Sequence, residues 1–428
     1  MAWIPLLVLF CLFFMGIPIS YALWGAVICY FGILNREIPS YVIFENIAEA
    51  VKNPDYWALL LFMMAGSILR YSGAAKRFHR LAEALIGHLP GSLAQVNVVW
   101  SMFMGGVSGS ANADCAMQSQ LLVPEMEACG YSKGFSTAIT AASSAVTPII
   151  PPGINLLVYA AIVLPAVSIG EMFLAGLVPG ILMTAALMTV VHVIARRRSY
   201  PAGRRCRAER SEIFYCVKNS FAGLLYPAGI ILGLMSGLFS APETALLAVC
   251  YSIFLGSVCY RELKRKHLLM IFRDTVEGAA SVFLIILAAR LFRLYLSTEA
   301  IPELLMSVMP IMMESRFAAL IAVNLLLLVL GMFFEGGSIL IVMAPLLLPI
   351  VSAAGVDPVH FGIICVMNTT IGGLTPPFGS MMLTCCSITG CAIRGFVKEC
   401  LPFIGALLLL LGLITFLPAL SIWFSFLR

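Results

Sequence analysis

Residues 143–153 read Ser143-Ser144-Ala145-Val146-Thr147-Pro148-Ile149-Ile150-Pro151-Pro152-Gly153, and residues 368–377 read Asn368-Thr369-Thr370-Ile371-Gly372-Gly373-Leu374-Thr375-Pro376-Pro377. Each stretch places a polar dipeptide ahead of a Pro-Pro pair, inside long apolar surroundings. Proline has no backbone N–H and clashes with the preceding turn, so a helix opens there and releases carbonyls. Released carbonyls together with Ser, Thr or Asn oxygens suit a hard cation such as Na⁺. The N-termini of the half-helices that follow offer positive dipole ends to an anion. The bland alternative is that the prolines only kink ordinary membrane helices, which is common. Two matched breaks favour a binding site.

The match extends outward on both sides. Pro124 corresponds to Pro349 at an offset of 225 residues, Gly130 to Gly355, Phe135 to Phe361 with one residue inserted, and Ser143-Ser144 to Asn368-Thr369. Upstream of each break lies a Gly/Ser-rich tip in an apolar run. The first is Gly105-Gly106-Val107-Ser108-Gly109-Ser110, and the second is Glu335-Gly336-Gly337-Ser338. Glycine permits tight turns, so each tip predicts a helical hairpin that enters and leaves from one side. Such paired repeats are a common plan of secondary transporters.

Composition sets the solvent. The chain has 428 residues, of which 61% are hydrophobic and 11% charged. Soluble domains carry about 25% charge, so this much apolar side chain requires a bilayer. At roughly 20 residues per span, the length allows about ten to twelve crossings. The net charge of +5 does not argue for nucleic acid. The 13 cysteines are scattered in apolar runs without zinc-site spacing and read as small buried hydrophobes. Residues 1–34 lack the basic start of a cleavable leader and predict a span or a bent pair of short helices.

Basic residues fall in four segments, read as loops: Arg70–Arg80, Arg196–Arg210 (with Arg204, Arg205 and Arg207), Arg261–Arg273 and Arg394–Lys398. The second and third belong in the cytoplasm, which puts Ser240-Ala241-Pro242 outside. Apolar runs open near Trp3, Tyr56, Val98, Phe135, Ile154, Met172, Ile213, Glu243, Ala279, Phe317, Phe361 and Leu401.

Charges at membrane depth mark function. Glu335 sits at the second tip, opposite Ser110 in the repeat. Asp114 is either a functional charge or part of a solvated turn. Arg290 and Arg293 lie in an apolar run and either act there or snorkel to an interface. His360 follows Asp357-Pro358 near a helix start and reads as structural.

The segments Val123-Pro124-Glu125-Met126 with Gly130-Tyr131, Pro148 to Pro152, Asp357 to Gly362, Leu374-Thr375-Pro376-Pro377 and Ser240 to Ala245 resemble, over nearly the whole chain, the large membrane subunit of the TRAP (tripartite ATP-independent periplasmic) transporters. The resemblance implies a sodium-driven elevator importer of a small organic anion in the bacterial inner membrane. It implies an all-α polytopic fold of about 11 transmembrane helices plus two re-entrant hairpins in two repeats. The expected parts are scaffold helices in 1–80, a first transport repeat in 81–195, a cytoplasmic basic loop with scaffold and connecting helices in 196–300, and a second repeat in 301–428. The expected partners are a small four-helix membrane subunit, as a separate chain, and a periplasmic substrate-binding protein. No cofactor is implied; Na⁺ is the coupling ion. Carried onto this sequence, the sodium sites fall at Ser108, Ser110, Asn112, Ser143, Ser144 and Thr147, and at Glu335, Gly336, Ser338, Asn368, Thr369 and Thr375. The broken-helix prolines are Pro148, Pro151, Pro152, Pro376 and Pro377. After Ser110 the chain departs from the family's usual small apolar continuation and reads Ala111-Asn112-Ala113-Asp114-Cys115.

Rival readings are a stand-alone sodium–carboxylate symporter of similar architecture, an intramembrane enzyme, a channel and an ATP-driven pump. The sequence has no HExxH zinc motif and no GxxxxGK[ST] phosphate loop. Matched broken hairpins suit alternating access better than a continuous pore.

Overall fold

A computed structural model describes residues 3–34, 38–201, 208–301 and 315–427. Arg204, Arg205 and Arg207 of the second basic segment lie outside these. Among the described residues every regular element is helical. The first five helices are α1 (Ile4–Phe14), α2 (Ile19–Ile28, continued by a π-helical turn, Cys29–Leu34), α3 (Ser40–Lys52), α4 (Pro54–Tyr71) and α5 (Ala74–Ile86). Residues 3–34 thus hold two short apolar helices rather than one continuous span. The first repeat follows as α6 (Ser92–Gly105), α7 (Ala111–Ala128), α8 (Lys133–Ser144), α9 (Ile154–Val163) and α10 (Ile169–Arg198). Next come α11 (Arg210–Met235), α12 (Ala241–Phe254, with a π turn, Leu255–Cys259) and α13 (Arg265–Thr298). The second repeat is α14 (Arg316–Phe333), α15 (Gly336–Ala353), α16 (Pro358–Gly372), α17 (Ser380–Thr389) and α18 (Ile393–Phe416).

Local chemistry sets these boundaries. Ser132 and Asp357 begin the two broken helices, their side chains accepting from Phe135 N at 3.4 Å and from Val359 N and His360 N at 2.9 and 3.0 Å. Ser240 and Glu243 close a reciprocal cap on α12. Among the described residues seven helices, α10 to α15 (α12 together with its π turn) and α18, are each long and apolar enough to cross a bilayer. Helices α4 and α5 pass that test together, bent by 69°. At about 1.5 Å per residue, a half-helix such as α9 reaches only about half of the bilayer's ~30 Å core. The breaks divide what the hydropathy pattern presents as continuous spans.

Helices α1 to α5 and α11 to α13 pack mainly on one another, as do the ten helices of the two repeats. The repeats interlock. Half-helix α9 of the first lies against α15 of the second, and α17 of the second lies against α7 of the first.

The basic segments need a correction. Residues 70–80 are the end of α4 and the start of α5, not a loop. Residues 265–273 are the first turns of α13, which begins well before Ala279, and residues 394–398 open α18. Lys and Arg are good helix formers and carry their charges outward on long stems. Charge therefore marks where the apolar segment ends, not where the helix ends. Ion pairs join the segments on one face of the molecule. Arg77 pairs with Glu262 at 2.8 Å, Arg70 with Asp274 at 3.5 Å, and Arg198 with Glu399 at 2.7 Å.

This arrangement puts Ser240 on the face opposite the basic residues. Alkaline phosphatase fused after Ser240 is expected to be active in a bacterial host, and fusions after Arg198 or Lys264 inactive. The reverse pattern would invert the orientation.

Candidate functional site

The first hairpin turns through Gly106–Ser110. Gly109 adopts φ +59°, and a Cβ there would lie 2.7 Å from the Pro152 carbonyl oxygen, so both conformation and space demand glycine. Its own carbonyl accepts from Ile154 N, just past the Pro-Pro pair, at 3.0 Å. The second repeat uses the same device: Phe378 N, just past Pro376-Pro377, donates to Met332 O of the second hairpin at 3.1 Å. Each tip is thus pinned to the break of its own repeat. Helices α14 and α16 touch backbone to backbone at Gly331 and Gly372, where a Cβ on Gly331 would lie 2.8 Å from the Gly372 Cα. Both Pro-Pro bonds are cis.

The two tips then meet. Asn112 Nδ2 donates to Glu335 Oε1 at 3.4 Å, although the residues belong to different repeats. Between them lies a cavity of about 260 Å³. From the first repeat, Ser110, Asn112, Pro148 and Asn155 line it. From the second come Glu335, Gly336, Ser338, Thr369, Thr370 and Ser380. Polar groups of both tips and both breaks therefore face one small space inside an apolar protein.

Behind the cavity, the first repeat holds a buried polar core. Asp114 is fully buried, and its Oδ2 accepts from Ser101 Oγ at 2.8 Å, Gln118 Nε2 at 2.8 Å and Thr147 Oγ1 at 3.0 Å. Ser143 donates to Asn97 Oδ1 at 2.6 Å, and Ser144 donates to the Thr140 carbonyl at 2.9 Å. The second repeat has a smaller counterpart: Asn368 Nδ2 donates to Asn324 Oδ1 at 2.7 Å. Thr369 and Thr375 donate to carbonyls of helix α16, Val366 O and Gly372 O.

Four buried side-chain oxygens in these regions take no protein hydrogen bond: Asn112 Oδ1, Asp114 Oδ1, Gln118 Oε1 and Asn368 Oδ1. Buried polar atoms are nearly always partnered, so oxygens of this kind call for a water or a cation.

Most of the sequence-chosen residues fall into two groups. Ser110, Asn112, Glu335, Gly336, Ser338, Thr369 and Pro148 line the cavity. Ser143, Ser144, Thr147 and Asn368 lie in the polar cores behind it. Ser108 donates to Met104 O at 3.3 Å, ending α6. Asp114 sits in no solvated turn. Arg290 pairs with Glu49, and Arg293 donates to Leu164 O at 2.9 Å. His360 is buried between Ser421 Oγ and Thr415 O, both at 3.2 Å, a structural placement. Sequence reading passed over Asn97, Ser101, Gln118, Asn155, Asn324 and Ser380. A signal existed for some of them. Asn324 is a lone amide in an unbroken apolar run, Asn97 and Ser101 share one face of α6, and Asn155 directly follows a break.

Two interlocked repeats, each with a hairpin and a broken helix that bring polar groups to one small cavity, are the plan of a helical membrane carrier. Comparison with known proteins narrows this. The family described as "Tripartite ATP-independent periplasmic transporter, DctM component" matches residues 6–420. The chain is 32% identical over 407 residues to the sialic acid TRAP transporter large permease protein SiaM of Vibrio cholerae, covering 95% of this chain and 94% of that protein. It is 32% identical over 365 residues to the C4-dicarboxylate TRAP transporter large permease protein DctM of Pseudomonas aeruginosa, covering 85% and 84%. In fold it is similar to the crystal structure of the YdaH transporter of Alcanivorax borkumensis, with a TM-score of 0.63 at 13% identity, covering 92% and 90%. The chain belongs to the DctM family and is a TRAP large permease, a multi-pass protein of the bacterial inner membrane.

Replacing Asp114 by Ala removes the acceptor shared by Ser101, Gln118 and Thr147. A buried donor left unpaired costs about 1–3 kcal/mol. The Asp114→Ala protein is expected to unfold at a clearly lower temperature in detergent, and Asp114→Asn at an intermediate one. A wild-type midpoint for Asp114→Ala would mean the carboxylate holds nothing together.

Proposed function

We propose that the chain is the large permease of a sodium-coupled importer of a small organic anion, working with a small four-helix membrane subunit and a periplasmic substrate-binding protein. The substrate class is a carboxylate such as a C4-dicarboxylate, a sugar acid or sialic acid. The observation that carries this reading is the convergence of polar groups from two hairpin tips and two broken helices on one otherwise apolar cavity. The names of the relatives, which speak of sialic acid and C4-dicarboxylates, support the substrate class.

In this reading one sodium ion is held by the first tip and break (Ser108, Ser110, Asn112, Ser143, Ser144 and Thr147). A second is held by Glu335, Gly336, Ser338, Asn368, Thr369 and Thr375. The oxygens left without protein partners on Asn112 and Asn368 suit this role. The half-helices that begin at Ile154 and Ser380 point positive dipole ends toward a bound carboxylate. Movement follows an elevator. Residues 81–195 and 301–428 carry ions and substrate as one body against a scaffold of 1–80 and 196–300. Support for this division is that α1 to α5 and α11 to α13 pack mainly among themselves.

Losing one ion-ligating oxygen removes an interaction of about 1.5–3 kcal/mol, or about tenfold to a hundredfold in affinity. Asn368→Ala and Glu335→Gln are therefore expected to raise the Na⁺ concentration that half-activates uptake by about that factor, with Ser199→Ala unchanged. Wild-type Na⁺ activation in both variants at normal expression removes them from the site.

The partner requirement has its own test. In liposomes with a sodium gradient, the chain alone is expected not to accumulate substrate, and accumulation should appear with both partners. Robust uptake by the chain alone would favour a stand-alone symporter.

A further inference from the structure

A pair of cavities lies away from the hairpins, along helix α11. At its cytoplasmic end is a space of about 640 Å³ lined by Lys76, Arg77, Arg80, Lys218, Tyr260 and Glu262. Four cations face one carboxylate. Burial by itself raises the Glu262 carboxyl, but hydrogen bonds and charge from Arg77 and Lys76 outweigh it and hold the group below its ordinary range, so Glu262 is ionised. Glu262 occupies Arg77 at 2.8 Å and Lys76 at 3.5 Å. Arg80 and Lys218 are exposed and join no ion pair among the described residues. The wall is fixed: the Arg77 guanidinium lies 3.8 Å above the Tyr260 ring, and the Tyr260 hydroxyl accepts from Gly223 N at 2.9 Å.

Farther along the same helix, an apolar slot of about 400 Å³ opens between α11 and α12, lined by Leu225, Gly229, Gly233, Phe239, Leu247 and Tyr251. A Cβ on Gly229 would meet nothing within 4 Å, so the slot has an open floor. Asn219, in the basic cavity, and Gly229, in the slot, are ten residues apart, about 15 Å along a helix. Between them α11 presents exposed Phe221 and Leu225. Tyr251 stands at the junction and donates to Ala222 O at 2.6 Å.

We propose that this basic cavity and apolar slot together form a binding site for an anionic phospholipid, with its headgroup phosphate against Arg80 and Lys218 and an acyl chain in the slot. A charged head followed by an apolar tail at this spacing is the form of a lipid, and a free anion would have no use for the slot. The cavity joins α5, α11 and the α12–α13 turn, so a bound lipid ties together three elements at the cytoplasmic boundary.

The test uses the full chain purified in mild detergent and examined by native mass spectrometry with added phosphatidylglycerol, phosphatidylethanolamine or inorganic phosphate. Wild type is expected to retain phosphatidylglycerol over phosphatidylethanolamine. A surface cation contributes about 1 kcal/mol toward an anionic lipid, so the double variant R80Q/K218Q is expected to bind phosphatidylglycerol about thirtyfold more weakly. Both residues are exposed, so folding is not at stake. Gly229→Leu fills the slot without touching the basic cavity and is expected to reduce retention as well. Millimolar phosphate is expected not to displace the lipid. Equal retention of the two lipids by wild type, unchanged retention in R80Q/K218Q, or displacement by phosphate would each overturn the proposal. The last would leave a site for a soluble anion.

Discussion

A helix that opens at Pro151-Pro152 or Pro376-Pro377 presents peptide groups that hydrocarbon cannot solvate, and each one left unpaired costs several kcal/mol. Inside a bilayer such a break persists only where protein or a wet cavity surrounds it. The fold provides this twice by the same means. The N–H just past each proline pair donates to a carbonyl at or near the tip of the adjoining hairpin, Ile154 to Gly109 and Phe378 to Met332. The hairpins thus complete the hydrogen bonding of the breaks, and the breaks hold the hairpins in place. Gly109 and the Gly331–Gly372 contact follow from the closeness this requires.

That mutual dependence explains why the repeats interlock. Each half-helix past a break lies against a hairpin of the other repeat, α9 on α15 and α17 on α7, and the tips meet through Asn112 and Glu335. Neither repeat encloses its own break alone. The polar groups needed to satisfy the breaks are therefore concentrated at one place, where a small cavity collects them. A site built this way is carried by packed helices from both halves, which suits a unit that moves as a body.

The two repeats are not equivalent in chemistry. The first keeps an acidic side chain, Asp114, with three donors on one oxygen. The second uses a neutral amide pair, Asn368 and Asn324, and places its carboxylate, Glu335, at the tip. The carboxyl group thus sits behind the break in one repeat and at the cavity in the other. At the opposite extreme of polarity, basic residues gather at helix ends on the face away from Ser240, where the helices run on beyond the apolar segment.

Much of the architecture was legible in the chain. Hydropathy and charge are local quantities, so 61% hydrophobic residues, the Pro-Pro pairs and the Gly/Ser tips were enough for a polytopic helical fold with two broken-hairpin repeats. Asp357-Pro358 marked a helix start for the same reason, whereas the caps at Ser132 and Ser240 emerged with the structure. What lay out of reach were relations between distant residues. Nothing local tells that Asn112 meets Glu335, that Ser143 turns away from the cavity toward Asn97, or that Asp114 is buried rather than solvated. Basic segments looked like loops because charge reports the membrane boundary while helix propensity continues through it, as at Arg265. Sequence alone determined which residues are polar in an apolar setting. Only the tertiary structure decided which of them face the cavity and which satisfy one another, because burial and hydrogen-bond pairing depend on which helices pack together.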